Sequence, residues 1–375
     1  MSAKYLFITT HFEPDFHYGG VIESSVRLYK YLRSFSQIRI ATVSSNPESV
    51  QRIIGENGRC YRSLLFHRFG VSLSAIPGLA KDVRSADAVL INGIFTFPVT
   101  IAQLYSVLFR KPFVVATRGG LEPWRVAHKK WKKFLYIKCI TLPLMRKARF
   151  IHVTSDMEEM SIRQLGFNNL VKVTNGIDLE MYHDLPDRYA WDGHCDKRFI
   201  FLFLSRTDRE KGLNLLIEAY RRFRRNHDVK NHILLIVGPD HQGYLRSLDI
   251  DYDSENIRHI SGVYGEEKIK LIRRADVVVL PSYSENFGNI IAEALACERP
   301  VITTTGTPWR EIETVGCGLY IRPNSQELLS AMESMYLAGG EELDRMGKLG
   351  RDYIIKHFSW AQKAQELHAY LELLV

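Results

Sequence analysis

Glu285 and Glu293 have seven residues between them in SENFGNIIAEALA (284–296), a stretch that is otherwise mostly apolar and contains Gly288. Carboxylates are rarely buried without a partner. When charged they accept hydrogen bonds in pairs from vicinal hydroxyls, so a ribose and a hexose are suitable partners. The plainer alternative is that Glu293 caps a helix or pairs with a neighbouring arginine. Gly288 removes a side chain where the backbone turns sharply or approaches a ligand. A helix beginning near Asn289 would point its first amides at an anion or a sugar hydroxyl, with Glu293 about one turn in. Upstream, SRTDREKGL (205–213) puts Arg206 and Lys211 between an apolar run and an amphipathic one. Two fixed cations beside a helix amino end suit a diphosphate, although basic loops before helices are common on any surface.

The elements that must position these residues are legible as alternation. Short apolar runs without polar alternation read as strands covered on both faces: KYLFITT, IRIATVS, AVLING, FVVAT, FIHVTS and VKVT, then FIFLFLS, HILLIVG, IRHISG, DVVVLPS and PVITT. Helical patterns lie between them, such as GVIESSVRLYKYL with Ile22, Val26 and Tyr29 on one face, and LNLLIEAYRRF with Leu216, Ala219, Tyr220 and Phe223. This predicts an α/β chain of two Rossmann-like, doubly wound parallel-sheet domains. The expected bounds are 1–178 for the first domain, 179–197 for an Asp-, Gly- and Pro-rich linker and 198–357 for the second domain. A C-terminal helix at 358–375 has an apolar stripe that would pack back toward the first domain. Ligands in such sheets sit at the strands' carboxyl ends, so the expected site is a cleft between the domains.

Composition narrows the setting. The 375 residues are 46% hydrophobic and 25% charged, ordinary for a globular protein, and no apolar run is long enough to span a bilayer. Five scattered cysteines without a CxxC read as reduced thiols in a cytoplasmic protein. The formal charge of +8 is uneven: residues 1–178 carry +13 and the remainder −5. Residues 123–155 contain no acidic residue, and Lys129, Lys130, Trp131, Lys132 and Lys133 form their sharpest basic and aromatic run. That run suits an anionic membrane surface, with a solvated basic helix as the simpler reading. No nucleic-acid recognition motif is visible, so nucleic acid is not an expected partner. Asp249, Asp251 and Asp253 lack the Gly and Glu of a calcium loop, and no metal is expected there.

Taken in order, these motifs resemble the group 1 glycosyltransferases of the GT-B fold, retaining enzymes of the kind found in bacterial O-antigen, capsule and exopolysaccharide biosynthesis. The marks are His11-Phe12-x-Pro14 with Gly19-Gly20, RGGLEPW (118–124), VTNGID (173–178), SRTDREKGL, VGP (237–239), SG (261–262), the Glu285-x7-Glu293 pair and FSW (358–360). The resemblance implies that Arg206 and Lys211 hold the donor diphosphate and stabilise its charge as it leaves. Glu293 would bind the ribose, Glu285 would face the transferred sugar, and the backbone of Asn286, Phe287 and Gly288 would touch sugar or phosphate. Val263 and Tyr264 would lie near the base. Gly19 and Gly20 would approach the phosphates across the cleft. Arg and Lys would stand where other transferases use a divalent ion, so neither a metal nor a cofactor is expected. Many family members carry a His where this chain has Arg118. An arginine can bind phosphate or sugar hydroxyls but is no base at neutral pH. His128 and His11 are other candidates for the acceptor proton, as is the leaving phosphate itself.

The implied function is transfer of a hexose-type sugar from a UDP- or GDP-sugar to a growing lipid-linked surface glycan, by a protein held peripherally at the inner face of the cytoplasmic membrane. The alternatives are a nucleotide-sugar epimerase of the same fold, a sugar phosphorylase, or a membrane-docked scaffold that has lost activity.

Overall fold

The computed structural model of the chain describes residues 3–14, 20–64, 69–122, 131–191, 198–240 and 243–375, without the side chains of 131–133 and 229. They form two compact units, Met1–Gly176 with Trp360–Val375, and Ile177–Ser359.

The first unit is built on β1 (Lys4–Thr9), β2 (Gln37–Ser44), β3 (Gly58–Arg62), β4 (Ala88–Asn92), β5 (Phe113–Ala116), β6 (Phe150–Val153) and β7 (Leu170–Lys172). They form one sheet in the order β3-β2-β1-β4-β5-β6-β7, parallel throughout. Parallel neighbours need crossover helices, which cover both faces, and β4 and β5 are accordingly buried at every position. On one face Val89, Ile91 and Val115 pack with residues of the helices Ala75–Ser85 and Phe97–Leu108. On the other, Phe7, Leu90 and Val114 share a core with Ile22, Val26 and Tyr29 of the helix Gly20–Leu32. Trp360, Ala364 and Leu367 of the terminal helix Trp360–Glu372 belong to that same core, so the chain's last turns are part of this unit.

The second unit repeats the plan. Its strands are β8 (Phe199–Leu204), β9 (His232–Val237), β10 (Ile257–Ile260), β11 (Val277–Leu280), β12 (Val301–Thr304) and β13 (Gly318–Ile321), ordered β10-β9-β8-β11-β12-β13 and all parallel. The direction of winding reverses between β1 and β4 in one sheet and between β8 and β11 in the other. Loops leaving such a pair diverge, which opens a crevice at the strands' carboxyl ends.

Two strands were not visible in the sequence. β3 reads GRCYR, whose arginines break the apolar run, and β13 is the four-residue GLYI. Both are edge strands with one neighbour, so less of their surface is covered. The segment expected as a linker also differs. Leu179–Tyr182 forms a short 3-10 turn, and Tyr182 is buried in the second unit's core. The Arg351 guanidinium donates to the Tyr182 carbonyl at 2.6 Å, and Arg188 is ion-paired with Asp276. The Asp- and Pro-rich composition conceals these specific attachments, which make residues 177–191 part of the second unit.

Gly212, just before the helix Leu213–Asn226, fixes the course of the loop after β8. Its φ is 69°, and a Cβ there would lie 1.9 Å from the Pro281 carbonyl oxygen. Gly212→Ala should therefore lower unfolding stability in urea by about 2–3 kcal/mol, through left-handed strain plus displacement of the Pro281 strand end. A stability within error of the native chain would show that the two loops do not need this approach.

Candidate functional site

The second unit's switch point gathers the two motifs that carry the chemistry. The loop after β8 holds Arg206 and a 3-10 turn, Arg209–Lys211. The loop after β11 runs from Pro281 to Gly288 and opens into the helix Asn289–Ala296. The loops are stitched together, because the Tyr283 amide donates to the Glu210 carbonyl at 2.8 Å. The turn after β12 supports them: the Glu285 amide donates to Gly306 O at 2.8 Å and the Thr304 hydroxyl to Ser282 O.

This scaffold brings Lys211 Nζ to 2.6 Å from Glu285 Oε1, with the residues only 6% and 8% exposed. The Ser282 hydroxyl donates to the same oxygen at 3.2 Å. In so dry a setting the ammonium and carboxylate need each other, since loss of one leaves an uncompensated buried charge. Arg206 stands apart from this pair; about a third of its side chain is exposed, and its guanidinium reaches Asp208 at 3.4 Å.

Gly288 ends the loop in the left-handed region, at φ 78°, and the helix follows at once. Glu293 lies one turn in and is 3% exposed. Its partner is Lys268, with Nζ 2.6 Å from Oε1. Lys268 belongs to the helix Gly265–Arg274, which starts directly after Tyr264. Val263 is half-buried against the core and Tyr264 is exposed, so the two residues expected beside a base lie a few positions before the lysine that holds Glu293. Lys268 was not a candidate, because GEEKIKLIRR reads as a solvated amphipathic helix. The Phe287 ring packs on Trp309, centroids 5.1 Å apart, and its carbonyl accepts from Trp309 Nε1.

In the first unit, Arg118 follows β5 with φ 50° and is 6% exposed. Nε donates to Asn92 Oδ1 at 2.6 Å and Nη1 to Asn175 Oδ1 at 3.0 Å. Asn92 in turn donates to the Ser25 hydroxyl at 2.6 Å on the helix Gly20–Leu32. Burial pulls the Arg118 guanidinium down to about 10, against the opposing pull of Glu158. His152 donates from Nε2 to the Val173 carbonyl at 2.8 Å. Burial, and then the Arg118 charge, push its imidazole down to about 3, which keeps it neutral at physiological pH.

Gly20 is exposed and begins its helix. Gly19, His128, Lys129 and Lys130 lie outside the described residues, as do the side chains of Trp131, Lys132 and Lys133, whose backbone forms the helix Trp131–Tyr136. Among the described residues no group of three or more His, Cys, Asp or Glu is placed to hold a metal ion.

Lys211→Met and Glu285→Gln should each cost about 3–5 kcal/mol of unfolding stability, and the double variant less than the sum. Additive losses in denaturant titrations would mean that the two side chains are not paired in solution.

Residues 192–353 match the sequence profile of the family described as Glycosyl transferases group 1. The chain is 29% identical over 167 residues to the MMP alpha-(1->4)-mannosyltransferase of Mycolicibacterium hassiacum, covering 43% of this chain and 40% of that one. It is 28% identical over 226 residues to the capsular polysaccharide biosynthesis glycosyltransferase CapM of Staphylococcus aureus, covering 55% and 56%. The chain thus spans about half the length of the curated relatives it matches. The crystal structure of Anabaena HepE in complex with UDP and glucose superposes with a TM-score of 0.79 over 99% of both chains, at 17% identity, a likeness of fold. Residues 192–353 are thus similar to the group 1 glycosyltransferases, and the chain as a whole has the GT-B fold.

Proposed function

We propose that this chain is a retaining, metal-independent glycosyltransferase that moves a hexose-type sugar from a UDP- or GDP-sugar to a growing, lipid-linked surface glycan. The buried Lys211–Glu285 pair at the switch point, inside the region matched to the family, carries this reading. In it, Arg206 and Lys211 hold the pyrophosphate, Glu285 keeps Lys211 oriented and meets the transferred sugar, and Glu293 takes the ribose. As the anomeric C–O bond breaks, its electrons pass to the diphosphate, and the two cations stabilise that growing charge. The acceptor oxygen bonds to the anomeric carbon and its proton goes to the departing phosphate, so no protein base is required. The epimerase reading has no feature of its own in its favour; Arg118, where many family members carry a His, favours an inert scaffold, against which Arg206, Lys211, Glu285 and Glu293 all stand.

Glu293→Ala should weaken binding of the nucleotide by about 10- to 100-fold by calorimetry. Lys211→Ala should lower turnover by about 10²–10³-fold. The product's anomeric configuration, read by NMR, should match the donor's, with activity unchanged by EDTA. Inversion, or loss of activity in EDTA, would refute the mechanism; native affinity in Glu293→Ala would remove the ribose contact.

We also propose that the first unit rests on an anionic membrane surface, where a lipid-linked acceptor is found. Phe134, Leu135 and Ile140 are exposed beside Lys138, and Leu104 and Leu108 are exposed on the helix Phe97–Leu108. The two segments adjoin, since the Thr100 and Tyr136 hydroxyls are 2.5 Å apart. Exposed apolar side chains among lysines are what an interfacial segment needs. Among the described residues no helix is long and apolar enough to cross a membrane. Replacing Lys129, Lys130, Lys132 and Lys133 with Glu should release the protein from phosphatidylglycerol vesicles in sedimentation. Undiminished binding would assign the basic run another purpose.

A further inference from the structure

Among the described residues, Arg118 is a buried cation with no anion hydrogen-bonded to it. The buried Arg299 differs in its counter-ion: 1% exposed, it bonds Asp344 at 3.1 Å, although its Nε and Nη1 have no partner. Among the described residues its hydrogen-bond partners, Asn92 and Asn175, are neutral amides, and Nη2 has none. The carboxylate that offsets its charge, Glu158, accepts its hydrogen bonds from the loop instead: from the Thr117 hydroxyl at 2.6 Å, the Gly119 amide, and the Thr154 amide and hydroxyl at 2.7 and 2.9 Å. Those bonds fix the residues on either side of Arg118, which holds its unfavourable φ of 50°. The two asparagines then fix the guanidinium plane at the carboxyl ends of β4 and β5. A guanidinium serving packing alone would cost more than an apolar side chain of its size. A strained, over-determined arginine with one unbonded arm is an arrangement for meeting a ligand.

We propose that Arg118 is the recognition point for an anionic group, a carboxylate or a phosphate, on the sugar substrate. This rests on the reading of the chain as a glycosyltransferase and adds to it a substrate class: the transferred sugar is an acidic sugar, or the acceptor sugar carries a phosphate or carboxylate. Two neutral amide oxygens hold the guanidinium without discharging it, so the anion supplies both the missing hydrogen bond and the missing charge.

The test compares matched ligands on the purified full chain by calorimetry. On the donor side the pairs are UDP-glucose with UDP-glucuronate and GDP-mannose with GDP-mannuronate. On the acceptor side the pair is glucose with glucose 6-phosphate, run with and without nucleotide. In one of these arms the acidic ligand should bind about 10- to 100-fold tighter than its neutral counterpart, and the arm identifies the source. Arg118→Gln should abolish that preference; Arg118→Lys should retain part of it. A native chain with no acidic preference in any arm overturns the proposal, whether or not the variants fold. So does a preference that survives Arg118→Gln. Failure of UDP and GDP themselves to bind counts instead against the nucleotide-sugar reading, and the acceptor pair without nucleotide still decides the role of Arg118.

Discussion

The buried contact between Lys211 and Glu285 is the constraint on which the second unit's site depends. An ammonium and a carboxylate, each less than a tenth exposed, are stable there only while they face each other, and they come from loops seventy-four residues apart. The backbone around them is accordingly over-determined. Gly212 allows one loop to pass against the Pro281 carbonyl, the Tyr283 amide ties it to Glu210, and the Gly306 carbonyl holds the Glu285 amide. The result is a charged group held rigidly at the carboxyl ends of β8 and β11, where it need not reorganise when a ligand's charge develops.

The same logic recurs at Glu293 and at Arg118, with different solutions. Glu293 sits on a helix and borrows its cation from the next helix back, at Lys268. Arg118 has amides in place of a bonded carboxylate, and Glu158, whose charge offsets its own, is engaged by amides and hydroxyls of the surrounding loops. Each unit therefore carries a charged group at the carboxyl end of its sheet.

Much of this was legible from residue types. Nearly continuous apolar runs predict strands covered on both faces, and eleven of them fall on strands of the two sheets. Ile22, Val26 and Tyr29 mark the buried side of their helix, and Gly288 with the helix from Asn289 falls where SENFGN suggests. What stayed hidden was tertiary. Edge strands β3 and β13 are covered by one neighbour and need no long apolar run. Lys268 looks like any solvated lysine until the fold sets it beside Glu293. The attachment of residues 177–191 depends on Arg188 and Arg351 finding partners far along the chain, which composition cannot show.

The most direct measurement is a crystal structure of the full chain with a bound nucleoside diphosphate sugar. On this account the pyrophosphate lies within hydrogen-bonding distance of Lys211 and Arg206, and a Glu293 carboxylate oxygen lies against the ribose hydroxyls. A nucleotide bound away from the carboxyl ends of β8 and β11, with the Lys211–Glu285 contact undisturbed and remote from it, would contradict the assignment.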